Sequence, residues 1–257
     1  MCATCGCETH HHDEHGQHAH AHEHDGNGHH HDAERRTLRL ERDVLAKNDA
    51  YARQNRAWLA ARGVAALNLV SSPGAGKTTL LEATIRALQG RLPISVLEGD
   101  QETERDAERI RATGARAVQL NTGKGCHLEA HAEGHALERL SPPPRSLVMI
   151  ENVGNLVCPA LLDLGEHAKV VVLSVTEGDD KPLKYPHMFR ASRVMILNKK
   201  DLLPHVHFDV EACLDRARRV SPELEIFVLS ATTGEGLAPW CDWLVRLAAG
   251  TRDEGLG

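Results

Sequence analysis

Residues Ser71-Ser72-Pro73-Gly74-Ala75-Gly76-Lys77-Thr78-Thr79 follow the apolar run Val64 to Val70 and have the composition of a phosphate-binding loop. Glycines let the backbone curl so that successive N–H groups face phosphate oxygens, a lysine reaches the β- and γ-oxygens, and a hydroxyl ligates magnesium. On that pattern Gly74, Ala75 and Gly76 form the cradle, Lys77 is the cation, Thr78 the magnesium ligand, and Thr79 opens a helix predicted to run to Leu88. Ser71 stands where the strict pattern has its first glycine, but the crowded end from Gly74 to Thr78 is intact. The chemistry is nucleoside triphosphate binding.

A second motif selects the base. Val194 to Leu197 reads as a buried strand ending in Asn198-Lys199-Lys200-Asp201, an N-K-x-D sequence. The Asp201 carboxylate can accept from guanine N1–H and the 2-amino group, donors that adenine lacks. Asn198 is expected at the other edge of the base, with the Lys199 stem over the ring. A further strand, Glu225 to Leu229, ends in Ser230-Ala231, which offers the Ala231 amide to guanine O6. GTP and GDP are therefore the expected ligands.

Two acidic strand ends supply magnesium chemistry. Leu97-Glu98-Gly99-Asp100 closes one strand, and Glu151-Asn152-Val153-Gly154 has the form D-x-x-G with Glu for Asp. Carboxyl ends of strands line the ligand crevice of parallel sheets. Asp100 is the candidate to hold magnesium and orient the attacking water, Glu151 supports the metal, and the Gly154 amide senses the γ-phosphate. The expected catalytic set is Lys77, Asp100 and Glu151. No glutamine follows Gly154 to position water, which predicts slow intrinsic hydrolysis.

Transition-metal ligands form a separate group. Cys2, Cys5 and Cys7 open the chain, and His10, His11, His12, His15, His18, His20, His22, His24, His29, His30 and His31 follow, eleven of eighteen histidines. Three thiolates and the terminal amine suit square-planar nickel or tetrahedral zinc, and the histidine tract suits storage. Cys126-His127 ends a strand-to-helix loop, and Cys158 lies four residues beyond Gly154, so Cys126, His127 and Cys158 are expected to form a site sensitive to nucleotide state. His127, His131 and His135, at i, i+4 and i+8, are expected on one helical face, which reads first as a solvated surface stripe, with the alternative that His131 and His135 extend that site as extra ligands or as a stepping point to the histidine tract. Cys213 and Cys241 sit among helical apolar residues and read as core.

These residues require an open sheet to position them. Strand-like runs at Val64 to Val70, Ile94 to Glu98, Ala115 to Leu120, Leu147 to Glu151, Val170 to Val175, Val194 to Leu197 and Glu225 to Leu229 alternate with helical stretches. That alternation predicts an α/β fold, a mainly parallel sheet with helices on both faces. Residues 1–33 read as a metal-binding arm, disordered without metal, because so polar a segment cannot bury a core. Residues 34–63 read as a helical segment with a candidate break at Asn48-Asp49 and a stop at Gly63, 64–247 as the GTPase domain and 248–257 as a tail. A net charge of −6 gives no electrostatic footprint for nucleic acid. No apolar run suits membrane insertion. The absence of a signal peptide and the phosphate-loop fold lead to a cytoplasmic expectation, with free thiols.

Taken together, C-x-x-C-G-C at Cys2 to Cys7, the histidine tract, S-S-P-G-A-G-K-T-T, E-G-D-Q at Glu98 to Gln101, G-K-G-C-H at Gly123 to His127, E-N-V-G-N-L-V-C-P at Glu151 to Pro159 and N-K-K-D resemble the HypB family of nickel-incorporation GTPases, in the SIMIBI branch of P-loop proteins. The resemblance implies a GTP-dependent nickel chaperone in maturation of nickel-iron hydrogenase, with high-affinity nickel at Cys2, Cys5 and Cys7 and nickel or zinc at Cys126, His127 and Cys158. It also implies a homodimer linked to GTP, a small zinc-containing nickel-transfer partner and the hydrogenase large-subunit precursor as recipient. A urease-type relative, a non-enzymatic nickel reservoir and a GTP-regulated zinc chaperone are the alternatives.

Overall fold

The computed structural model describes residues 28–99, 104–120 and 127–254, with side chains of the first helix from Arg42 onward. Cys2, Cys5, Cys7, the histidines from His10 to His24, Asp100 and Cys126 lie outside the described residues. The chain divides after Lys47, and the sheet and every site residue discussed below belong to the unit from Asn48 to Gly257.

Among the described residues seven strands build one sheet: β1 (Ala65–Ser71), β2 (Ile94–Glu98), β3 (Arg116–Gln119), β4 (Leu147–Glu151), β5 (Ala168–Ser174), β6 (Ser192–Asn198) and β7 (Glu225–Val228). Their order is β3-β2-β4-β1-β5-β6-β7 and every pairing is parallel. The helices are α1 (Gly28–Ala60), α2 (Lys77–Ala87), α3 (Glu104–Ala112), α4 (Ala130–Leu140), α5 (Lys181–Lys184), α6 (Pro186–Ala191), α7 (Val210–Val220) and α8 (Leu237–Glu254). Parallel neighbours need long crossovers, which is why apolar runs alternate with helices along the sequence.

Period-two alternation sorts β1 between two cores. Ala65, Leu67 and Leu69 enter a cluster with Leu80 and Leu81 of α2 and Trp240 and Leu244 of α8. On the opposite face Ala66 joins Ala52 and Leu59 of α1 and Leu137 of α4, while Val70 joins Phe189 of α6 and Cys213 and Ala217 of α7. Both faces of the sheet are thus covered. Cys213 and Cys241 are core residues, and burial pushes the Cys213 thiol up to about 12.

The structure departs from three local expectations. The first helix runs unbroken through Asn48-Asp49 to Ala60, and its first described turn includes His29, His30 and His31. Asn48 does not break it because its side chain bonds across to other elements, donating to Asp163 O at 2.7 Å and accepting from Ala130 N at 3.0 Å. The helix stops where expected, with Gly63 at φ 59°. Second, α4 begins only at Ala130, so His127 precedes it and the expected face carries His131 and His135 alone. At the other end α8 continues to Glu254, beyond the 247 boundary read from sequence. Among the described residues no helix is long and apolar enough to cross a membrane.

Candidate functional site

The carboxyl end of β1 opens directly into the phosphate loop. Gly76, at φ 93°, caps α2, and a Cβ there would lie 2.7 Å from Asn198 Nδ2, so only glycine admits the close approach of the N-K-x-D segment. Gly74 also has positive φ. A helix N-terminus leaves its first amides without intrahelical partners, which is what an anion at that position requires. Lys77 is buried and donates from Nζ to Ser71 Oγ at 2.9 Å. A cleft of about 460 Å³ opens over this loop, lined by Gly74, Gly76, Lys77, Thr78 and Thr79 with Glu151, Gly154 and Lys199 from neighbouring strand ends. Gly154 lies against the loop, since a Cβ on it would stand 3.0 Å from Pro73.

Beside the phosphate loop lies a paired carboxylate. Parallel register sets Glu98 of β2 beside Glu151 of β4, both buried, and Thr78 donates from Oγ1 to Glu151 Oε1 at 2.8 Å. Burial, with the neighbouring Glu151 charge second, raises Glu98 to about 7, and its Oε1 has no hydrogen-bond partner among the described residues. A hydroxyl and two crowded carboxylates fit a hard divalent cation, which takes oxygen ligands and would relieve their repulsion. Thr78 and Glu151, both read from the sequence as magnesium ligands, are in contact. The sequence motif points to Asp100, which lies outside the described residues, and gives Glu98 no role. The signal for Glu98 is in the register, because a strand end opposite Glu151 must bring a second carboxylate alongside.

The N-K-x-D residues are bonded to two loops. Asn198 is buried, donating from Nδ2 to Ala75 O at 3.0 Å and accepting at Oδ1 from Ala231 N at 3.0 Å. It ties the phosphate loop to the Ser230-Ala231 loop, with the Ala231 amide donating to it. Lys199 sits at φ 62° and bonds Gly74 O at 2.7 Å, which lays its stem along the cleft. Asp201 retains a buried Oδ1 with no hydrogen-bond partner among the described residues, an acceptor suited to guanine donors. Ser230 is buried and its hydroxyl accepts from Thr233 N at 3.1 Å, bracing the loop.

Sequence reasoning also missed Arg109 and Lys181. Arg109 of α3 lines the cleft and donates to Thr79 Oγ1 at 3.3 Å while pairing with Glu82 and Asp106. Lys181 of α5 reaches Ser72 Oγ at 3.0 Å and Glu177 at 3.2 Å. Neither belongs to a local motif; only packing brings them to the loop.

Of the second metal group, Cys158 is buried at the start of a 3-10 turn, Cys158–Ala160, and His127 is half-buried. Leu128, next to His127, packs on Gly99, where a Cβ would lie 2.6 Å from it, so this segment crosses the end of β2 beside the carboxylates. Among the described residues no three His, Cys, Asp or Glu side chains are grouped to hold a metal, and Cys126 is not among them. His131 and His135 pair with each other, ring centroids 4.8 Å apart, and His131 also packs on Tyr51 of α1 at 4.5 Å.

Residues 65–228 match the family described as CobW/HypB/UreG, nucleotide-binding domain. The hydrogenase maturation factor HypB of Azotobacter vinelandii is 61% identical over 217 residues, covering 84% of this chain and 71% of that protein. This chain belongs to the HypB family. Among solved structures, HypB from Archaeoglobus fulgidus superposes with a TM-score of 0.75 at 40% identity, covering 79% of this chain and 100% of that one. HypB from Helicobacter pylori, solved in complex with nickel, gives 0.74 at 38% identity, covering 79% and 96%. The family match extends through the phosphate loop, both carboxylate strand ends and the N-K-x-D strand, so the nucleotide-binding character of the cleft is a family property.

Proposed function

We propose that this chain is a GTP-hydrolysing nickel chaperone, acting in the cytoplasm to store nickel and deliver it during nickel-iron hydrogenase maturation. The observation that carries this reading is a single short loop. It leaves β4 at Glu151, passes Gly154 against the phosphate loop, and reaches Cys158 four residues later. One segment therefore holds a magnesium-side carboxylate, a γ-phosphate sensor and a thiol. The names of the relatives supply the biological setting, and the nickel complex of one of them supplies the cargo.

In this reading Lys77 and the loop amides hold the β- and γ-phosphates, while Asp201 selects guanine. Thr78, Glu151 and Asp100 would hold magnesium, which when bound neutralises charge on the phosphate oxygens. Loss of the γ-phosphate frees Gly154 and shifts the backbone toward Cys158, so the Cys126, His127 and Cys158 ligands change geometry. Such a change moves metal only if the two nucleotide states bind it with different affinity. Nickel is the preferred cargo of that site and zinc its competitor; the Cys2, Cys5 and Cys7 thiolates hold a separate ion, and the histidine tract holds more. The implied partners are a second copy of the chain in the GTP state, a small zinc-containing accessory protein and the hydrogenase large-subunit precursor. Nickel and zinc titrations of the full chain loaded with GDP or a slowly hydrolysed GTP analogue test the reading. A Cys158-dependent affinity that differs between the two supports it; equal affinities overturn the coupling.

A further inference from the structure

The polar side chains of α1 that face the domain have no place in nucleotide binding, yet they are buried amides bonded to more than one other segment. Asn48 and Asn55 are seven residues apart, two helical turns, and so share a face. They are only 7% and 6% exposed. Asn48 accepts from Ala130 N and donates to Asp163 O. Asn55 donates from Nδ2 to both Ala130 O at 2.7 Å and Leu164 O at 2.9 Å. Reversing the Asn48 amide would set its Nδ2 against the Ala130 N–H, so the orientation is fixed by the network.

The backbone groups that are captured are the informative part. Ala130 lies three residues after His127, and Asp163 and Leu164 lie five and six after Cys158. Each asparagine bonds both segments at once. Glycines permit the approach on both sides: a Cβ on Gly134 would lie 2.7 Å from Asn55 Oδ1, and one on Gly165, at φ 96°, would lie 2.6 Å from Ala52 O and 2.7 Å from Asn55 Cβ. Arg56 closes the outer edge by pairing with both Asp163 oxygens at 2.8 Å.

We propose that Asn48 and Asn55 are positioning residues that clip together the two loops carrying His127 and Cys158 and thereby set the ligand spacing of the metal site. The inference rests on the Cys126, His127 and Cys158 reading given above. The clip residues lie outside the nucleotide cleft; they fix the segments that follow His127 and Cys158. A ligand set shared by two loops is only as well defined as the distance between them, and outer partners of metal ligands commonly matter about 10- to 100-fold in affinity.

The test uses the full chain with Asn55→Ala, Asn48→Ala, Asn48→Asp, Gly134→Ala and Cys158→Ala. Hydrogen exchange at residues 128–131 and 163–166 reads the clip itself, and nickel titration with the thiolate-to-nickel absorption reads its consequence. Asn55→Ala should deprotect both segments together, weaken the Cys158-dependent nickel site about tenfold and shift its absorption, while GDP affinity stays unchanged. Gly134→Ala should do the same by displacing Asn55, and it serves if Asn55→Ala does not fold. Asn48→Asp keeps the acceptor for Ala130 N and should be milder than Asn48→Ala. Exchange that changes in one segment only, or in neither, overturns the clip, as does unaltered nickel affinity and absorption at a Cys158-dependent site. Should Cys158→Ala itself leave nickel binding unchanged, the metal-site reading fails, and the exchange result alone decides whether the clip exists.

Discussion

Asp201 carries the clearest single-residue consequence. Its buried Oδ1 lacks a partner among the described residues, and a hydrogen bond to a charged acceptor contributes about 1.5–3 kcal/mol. Asp201→Asn exchanges one acceptor for a donor, so GTP affinity should fall roughly 10- to 100-fold while xanthosine triphosphate, with an oxygen in place of the 2-amino group, gains. Competition between the two nucleotides checks this; retained GTP preference would remove Asp201 from base recognition. Lys77→Ala should lower GTP turnover by about 100-fold or more, since a charged donor aimed at the transferring phosphate is lost. Steady-state phosphate release is the measurement, and unaltered turnover would dismiss the phosphate-loop assignment. These candidates are readable from the sequence because each motif is contiguous: the loop glycines, Lys77, Thr78 and Asp201 are picked out by spacing along the chain. The part played by Asn198 was hidden for the opposite reason. Its partners, Ala75 O and Ala231 N, come from separate loops, so the sequence shows its type and not its occupation.

At the scale of elements, α1 and α4 differ most from what the sequence announced. Strands were legible because a parallel sheet covered on both faces demands nearly continuous apolar runs; Ile94–Glu98 and Leu147–Glu151 fall where expected. The start of α4 was not legible. Glu129 makes no side-chain cap, and the first-turn amide of Ala130 is satisfied by Asn48 from another helix. Buried under that junction, Glu133 of α4 has no hydrogen-bond partner for either oxygen among the described residues. Desolvation, with the Glu166 and Asp163 charges next and Lys169 opposing, raises its carboxyl well above the ordinary 4.5. The folded chain therefore holds this proton more tightly than the unfolded chain. Its contribution is fully present below 4.5 and is lost as pH rises toward the folded value. Glu133→Gln should flatten the decline of melting temperature between about pH 5 and pH 8 and raise the value at the upper end; parallel curves for the two proteins would refute it. His131 and His135, exposed on the same helix, should add weak nickel capacity. Loss of that increment in His131→Ala/His135→Ala, read by nickel titration of the two proteins side by side, is the expected result.

For the whole molecule, the division after Lys47 separates nucleotide chemistry from the thiol and histidine segment of the sequence. Deleting residues 1–33 should leave GTP hydrolysis within about twofold while removing most bound nickel, because every described nucleotide residue lies beyond Asn48. Turnover and metal content measured on one preparation decide it, and loss of hydrolysis in a folded truncation would show that the two halves depend on each other. The strand order has a temporal consequence as well. β1, synthesised first, pairs Ala65 with Leu147 and Leu67 with Ala168, so both of its neighbours leave the ribosome long after it does. Until then the phosphate loop hangs from a strand with no sheet, and pairings so distant in sequence close slowly. A nascent chain cannot pair β1 on both edges before β5 has emerged, so for the greater part of synthesis the phosphate loop is carried by a strand that is not yet flanked on both sides.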